Sequence, residues 1–312
     1  MDSLKGSGVA TAYLGPKGSF SEDATRLHVL RSGGSAAVTV GEAADGAAEI
    51  PDLLPFASIP ALTAAVETGL ASEALLPIEN SLEGAVSATL DLLIHETPLR
   101  IAAEIVVPVR HDLITVPGTT LADIRVVTSH PQALGQSRRF LDRCLPGVEQ
   151  VAALSTSAAV ASVIADGDPS RAAIGTTRAA GLYGGAVLAH DIQDVRANVT
   201  RFVVLRDHDA EPTGHDRTSL GFTVRANVPG ALHRALSGFA AEGLQMSKIE
   251  SRPAKAWLGD YVFLVDFEGH REDPAARRAL ARLAEEAATV QVFGSYPRFP
   301  IDALRELLDP QR

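Results

Sequence analysis

Between Ala10 and about Leu205, short apolar runs end in Ser, Thr, Gly or Asn and give way to helical periodicity, and this alternation restricts the chain to βαβ units around a mostly parallel sheet. Ala12-Tyr13-Leu14, Ala74-Leu75-Leu76-Pro77-Ile78, Arg125-Val126-Val127-Thr128 and Ala172-Ala173-Ile174 are the clearest strand candidates. The fold class is therefore α/β. The segment from Gly41 to Pro55, rich in Ala, Gly, Asp and Glu, reads as a surface insertion or long loop.

The rhythm changes at a polar stretch around Asp207 to Asp216, which contains His208, Pro212, Gly214 and His215 and reads as a domain boundary. Beyond it the pattern is strand 217–226, helix 230–242, strand 244–251, strand 259–267, helix 274–288 and strand 289–294, the βαββαβ order of a ferredoxin-like unit. Leu232, Ala235, Leu236, Phe239 and Ala240 form one apolar stripe of the first helix. Asp273 and Pro274 read as the cap and first residue of the second, with Leu280 and Leu283 on one face. The tail after Pro297 reads as one more short helix.

Composition narrows the function. The chain has 312 residues, 46% of them hydrophobic, which is enough for two or three cores. With 38 acidic against 28 basic side chains its net charge is -10, and no Lys/Arg stripe is present to follow a phosphate backbone, so nucleic-acid binding is disfavoured. The single cysteine, Cys144, excludes a disulfide framework and a Cys-based zinc site. Its nine histidines are scattered, without an H-E-x-x-H pair, and no metal is expected. The amino terminus lacks an apolar targeting segment, and no run of about 18 apolar residues occurs. A cytoplasmic protein without a membrane partner is the expectation.

Chemistry points to a set of similar junctions. At Gly18-Ser19-Phe20-Ser21-Glu22, Asn80-Ser81-Leu82-Glu83-Gly84, Ser129-His130-Pro131-Gln132, Ser155-Thr156-Ser157 and Gly175-Thr176-Thr177, a strand candidate runs into a helix start. Each brings free backbone N–H groups and a positive dipole end to the carboxyl edge of the sheet. Any one of them also reads as an ordinary helix cap, with Ser19/Glu22, Asn80/Glu83 and Ser129/Gln132 at capping-box spacing. Five together suggest a site for a small anion. A nucleotide is disfavoured, since both the P-loop and the G-x-G-x-x-G spacings are absent, as is a G-x-S-x-G elbow. In Asn198-Val199-Thr200-Arg201-Phe202, Arg201 has the fork to clamp a carboxylate and Thr200 a hydroxyl beside it, although an edge-strand Thr and a solvated Arg fit equally well.

These blocks resemble the prephenate dehydratase family. The resemblance runs through Tyr13-Leu14-Gly15-Pro16-Lys17-Gly18-Ser19-Phe20-Ser21, Pro77-Ile78-Glu79-Asn80-Ser81, Ser129-His130-Pro131-Gln132-Ala133-Leu134, Asn198-Val199-Thr200-Arg201-Phe202 and Ile249-Glu250-Ser251-Arg252-Pro253, in the family's order from about residue 10 to 295. It implies a lyase that turns prephenate into phenylpyruvate, carbon dioxide and water without a cofactor, feedback-regulated by phenylalanine. The catalytic domain would span 10–207, as two lobes similar to type 2 periplasmic binding proteins: lobe one at about 10–95 and 185–207, lobe two at about 96–184.

By the same resemblance Thr200 and Arg201 are catalytic, and Ser19, Phe20, Asn80, Ser81, Ser129, Gln132, Ser155, Thr156 and Phe202 contact substrate. Residues 216–295 would form an ACT regulatory domain, followed by a tail at 296–312. Pro229, Gly230, Ala231, Leu232, Glu250, Ser251, Arg252 and Pro253 would bind phenylalanine where domains of a homo-oligomer meet, as a dimer or tetramer. The competing readings are an arogenate dehydratase, which performs the same elimination on the transaminated substrate, and a non-catalytic amino-acid sensor.

Overall fold

A computed structural model of the chain describes residues 10–32, 50, 52–255 and 260–300. The strands are β1 (Thr11–Leu14), β2 (Leu53–Phe56), β3 (Glu73–Asn80), β4 (Gly84–Ala85), β5 (Arg100–Pro108), β6 (Asp112–Thr115), β7 (Val126–Ser129), β8 (Glu149–Ala152), β9 (Arg171–Gly175), β10 (Ala186–Ala189), β11 (Val199–Arg206), β12 (Asp216–Val224), β13 (Met246–Pro253), β14 (Tyr261–Glu268) and β15 (Ala287–Pro297). The helices are α1 (Phe20–Ser32), α2 (Ile59–Glu67), α3 (Ser87–His95), α4 (Pro131–Gln136), α5 (Arg138–Cys144), α6 (Thr156–Asp166), α7 (Thr177–Tyr183), α8 (Ala231–Ala241) and α9 (Pro274–Glu286). The tail after Pro300 and most of the expected insertion lie outside the described residues, while Leu53–Phe56, at the end of that insertion, forms the edge strand β2 rather than a loop.

The chain divides into two units. The first takes the described residues up to Val86 and Ile105–Phe202. It contains most of a sheet of order β2-β1-β3-β11-β5, with β4 on β3, and the whole of a second sheet of order β10-β6-β9-β7-β8, while Arg100–Glu104 of β5 and Val203–Arg206 of β11 fall in the second unit. In the first sheet β1 runs parallel to both β2 and β3, and in the second β7 runs parallel to β8 and β9, whereas β6 is antiparallel to its neighbours β9 and β10. Central strands such as Ala74-Leu75-Leu76 and Ala172-Ala173-Ile174 are fully buried, which explains why they read as continuous apolar runs instead of alternating ones.

The chain passes between the two sheets at other points than the expected lobe limits. Residues Arg100–Pro108 pair into the first sheet and Ala186–Ala189 into the second, so the chain changes sheets after Pro108 and after Ala189, not near residues 95 and 184. An apolar strand carries no mark of which sheet it joins, because the choice is made by tertiary pairing.

Helix ends follow local chemistry. Ser155 and Thr176 accept hydrogen bonds from the backbone N–H groups of Ala158 and Ala179, each at 3.0 Å, and so start α6 and α7. Both helices stop at glycines in the left-handed region, Gly167 and Gly184. Two expected caps differ. Asn80 caps a turn leading into β4 rather than a helix, and α4 is capped by His130, whose Nδ1 accepts from the Gln132 N–H at 3.3 Å, while Ser129 stays in β7 and donates to the Ile174 carbonyl at 2.7 Å.

The second unit comprises Ser87–Glu104 and Val203–Phe299. Its strands form an antiparallel sheet of order β13-β14-β12-β15 and, with α8 and α9, follow one another as βαββαβ. Ala235 and Phe239 of α8 and Ala276, Ala279 and Leu283 of α9 pack on Leu220, Phe222, Val265 and Phe267, the stripe that the sequence spacing anticipates. Asp273 caps the turn before α9 by accepting from the His270 N–H at 2.8 Å.

Residues 87–104 belong to this unit, a grouping the sequence conceals. Glu104, fully buried, pairs with Arg217 and accepts from the Phe299 N–H at 2.9 Å, and Gln291 donates to the Leu93 carbonyl at 3.0 Å. Gly294 of β15 lies so close to β5 that a Cβ there would stand 2.1 Å from the Ile101 carbonyl oxygen and 2.7 Å from its nitrogen. Backbone cannot yield as a side chain does. Gly294→Ala is therefore expected to cost about 3 kcal/mol or more in urea unfolding; an unchanged midpoint would contradict this packing.

Candidate active site

The first unit encloses a cavity of about 350 Å³, within the range of small-molecule sites, roughly 300–1,000 Å³. Its wall combines Phe20, Pro77, Ala85, Val86, Val109 and Leu154 with Asn80, Glu83, His111, His130, Gln132, Gln136, Ser155, Thr156 and Thr200. Helix starts supply three parts of the wall: Phe20 opens α1, Gln132 lies in the first turn of α4, and Ser155 and Thr156 begin α6. The positive dipole ends of these helices favour negative charge beside the wall they form.

Asn80 organises the polar side. Its Oδ1 accepts from the backbone N–H groups of Leu82 and Glu83, each at 3.0 Å, which fixes the amide's orientation. Its Nδ2 then faces Asn198 Oδ1 at 2.8 Å, the Val199 carbonyl at 3.1 Å and Thr200 Oγ1 at 2.9 Å. Because Asn80 donates to the Thr200 oxygen, the hydroxyl hydrogen of Thr200 is left to seek another acceptor.

The chain of contacts continues across the site. Asn198, itself fully buried, donates to Gln136 Oε1 at 3.0 Å, and His111 Nε2 lies 3.0 Å from the same oxygen. Since that oxygen can only accept, His111 carries its proton on Nε2. Burial lowers its pKa below the ordinary histidine value, which keeps the ring neutral. Gln136 Nε2 donates to Glu83 at 3.2 Å, and the Phe20 ring meets the His111 ring edge-on at 5.6 Å.

Of the residues expected from the sequence, Phe20, Asn80, Gln132, Ser155, Thr156 and Thr200 line the cavity. Arg201 does not. Alternate residues of a strand face opposite sides, and Arg201 pairs with Glu79 at 3.1 Å instead of joining the wall that Thr200 lines. Phe202 is a core residue, 2% exposed, and Ser129 is buried in β7. Ser19 donates to the Leu14 carbonyl at 3.3 Å and Ser81 bonds to Asn198 and Val199, and neither lines the cavity.

Sequence reasoning passed over His111 and Gln136, and took Glu83 only as the capping partner of Asn80. Gln136 carried a signal, the i, i+4 spacing from Gln132 that places both on one helical face. His111 carried none, because tertiary folding alone brings it to Gln136. Among the described residues no group of three or more His, Cys, Asp or Glu is placed to hold a metal, and no helix is long and apolar enough to cross a membrane.

The residues expected to bind an effector lie in the second unit. Gly230, in the left-handed region at φ +81°, turns the chain into α8, which Ala231 and Leu232 begin. Glu250, Ser251, Arg252 and Pro253 end β13, an edge strand whose residues alternate between half-buried and exposed. Arg252 reaches Asp91 at 3.2 Å and Glu250 at 3.5 Å, and Lys255 reaches Asp91 at 2.9 Å. The Lys255 hydrogen bond, reinforced by Arg252, holds the Asp91 carboxyl below the usual carboxylate range.

Comparison with known proteins identifies the family of the chain. The family model described as prephenate dehydratase matches residues 11–210. A prephenate dehydratase of Mycolicibacterium vanbaalenii is 41% identical over 288 residues, covering 92% of this chain and 90% of that one. A bifunctional chorismate mutase/prephenate dehydratase of Aquifex aeolicus is 38% identical over 290 residues, 93% of this chain and 74% of that one. Among solved structures, an L-Phe complex of an Arthrobacter aurescens prephenate dehydratase superposes with a TM-score of 0.79 at 35% identity, over 92% of this chain and 89% of that one. A protein described as a novel type of quorum-quenching acylase also superposes at 0.79, with 32% identity over 94% of this chain and 99% of that one. With the family model spanning well over half of its residues and such relatives sharing most of its length, the chain belongs to the prephenate dehydratase family.

Proposed function

We propose that the cavity beside Thr200 converts prephenate to phenylpyruvate, carbon dioxide and water. The observation that carries this reading is the Thr200 hydroxyl, held by Asn80 through its oxygen lone pair and lining a cavity whose wall includes several helix starts. The ring carboxylate leaves as carbon dioxide, its bonding electrons complete the aromatic ring, and the hydroxyl on the opposite ring carbon departs with a proton as water. Aromatisation supplies the driving force, so the protein's task is positioning and one proton donor.

Thr200 donates that proton, directly or through a water, and the Asn80–Asn198–Gln136–His111 chain keeps it in place. Phe20, Pro77, Val86 and Val109 provide an apolar surface for the ring, while helix-start N–H groups and the Gln132, Ser155 and Thr156 side chains hold the carboxylates. In this reading the two sheets of the first unit are two lobes of a solute-binding type, with the cavity between them. The βαββαβ unit is an ACT domain. Phenylalanine, the ligand named in the Arthrobacter complex, binds at Pro229–Leu232 and Glu250–Pro253 in a homo-oligomer and lowers activity by favouring one of its arrangements.

The direct test is phenylpyruvate formation from prephenate by the purified protein, with and without phenylalanine, alongside arogenate as a competing substrate. Thr200→Ala is expected to lower kcat by roughly 10²–10⁴ with little change in KM; near-normal turnover would remove Thr200 from the chemistry. The buried neutral His111 predicts a pH effect as well. Its folded pKa lies below 6.5, so its contribution to stability is complete above pH 6.5 and declines as the pH falls, when the unfolded state takes up the proton first. Urea unfolding at pH 7.5 and 5.5 should show wild type losing more stability than His111→Gln, at most about 1.4 kcal/mol per pH unit more; parallel losses would contradict a buried neutral ring.

A further inference from the structure

We infer that Glu22 and Arg178 form a positioning pair that fixes the Phe20 wall of the cavity from outside it. Neither residue lines the cavity. The loop Gly15–Ser19 leaves β1 of the first sheet and is held by helices of the second. Thr176 Oγ1 donates to the Gly18 carbonyl at 2.8 Å, and Ser157 and Tyr183 donate to the Lys17 carbonyl. Gly18 itself sits at φ +78°, where a Cβ would come within 3.0 Å of Ser157 Oγ and 3.1 Å of the Ala179 Cα. The loop is therefore pressed against the starts of α6 and α7.

Charge then locks this arrangement. The Gly18 N–H donates to the Glu22 carboxylate, and Arg178 of α7 donates to its other oxygen at 2.9 Å, with the two side chains only 5% and 16% exposed. Glu22 lies in the first turn of α1, where a carboxylate suits the helix dipole, but a buried carboxylate also needs a counter-charge. Nearby Tyr13 is buried, and burial together with Glu22 pushes its phenol well above the usual range, so it brings no competing charge. Phe20 stands two residues before Glu22 and two after Gly18. Whatever fixes that loop therefore fixes the ring facing His111 and the cavity.

Phe20 touches ground state and transition state alike, and it meets the network that holds Thr200 only at the edge of the His111 ring, four hydrogen bonds away from the hydroxyl. Loosening the pair is therefore a binding defect, not a chemical one. Arg178→Met is expected to raise the KM for prephenate about tenfold with kcat within about threefold of wild type, and Arg178→Lys to bring KM back to within about threefold. In the Phe20→Ala background, Arg178→Met should add almost nothing, because the pair acts through that ring. Additive effects in this cycle, or an unchanged KM, would overturn the inference.

The kinetic arm rests on prephenate being the substrate. Amide hydrogen exchange of residues 18–23 in the ligand-free protein does not, and should be faster in Arg178→Met and recover in Arg178→Lys. Faster exchange without prephenate turnover by wild type would retain the positioning pair and discard the substrate. Unchanged exchange would discard the pair. Should Arg178→Met fail to fold, Glu22→Gln, which keeps the shape and removes the charge, is expected to show the same rise in KM and in exchange, and wild-type values in it would overturn the proposal.

Discussion

The side-chain amide of Asn80 is the contact on which the rest of the site depends. Its oxygen is committed to two backbone N–H groups, so its nitrogen has only one way to face, and that way holds Asn198 and Thr200 together. A serine or alanine there could not do both. The turn after β3 would lose its cap, and the Thr200 hydroxyl would lose the donor that leaves its own hydrogen free. Through Asn198 the same amide reaches Gln136 and His111, so residues from four distant parts of the sequence are joined in one polar chain.

On the proposed function the cavity holds an anion without a wall of cations. Arg201 is spent on Glu79 and Arg178 on Glu22, and neither lines the cavity. Helix starts and amide groups remain to hold a carboxylate. Such fixed dipoles need no reorganisation when charge moves during the elimination, which suits a reaction whose energy comes from the substrate's own aromatisation.

Much of this was legible in the sequence because it is local. The caps at Ser155 and Thr176, the apolar stripe of α8 and the βαββαβ order all depend on residues within a few positions of each other. What failed depends on tertiary pairing. Nothing near Arg100 announces that β5 joins the first sheet while residues 87–104 belong to the second unit, and Arg201 reads as a free clamp until strand alternation turns it toward Glu79. Ser129 illustrates the same limit, since capping-box spacing suited it but the pull of the Ile174 carbonyl kept it in β7 and passed the cap to His130. Family resemblance pointed to Thr200, but only the folded chain supplied Gln136 and His111 as its supports.

The most direct test is a crystal structure of the protein with a ring-saturated prephenate analogue that keeps both carboxylates and the hydroxyl but cannot aromatise. The account places the analogue in the first-unit cavity, its ring hydroxyl about 2.6–3.2 Å from Thr200 Oγ1 or joined to it by one water, with a carboxylate at the start of α6. An analogue bound elsewhere, or one whose hydroxyl points away from Thr200, would contradict it.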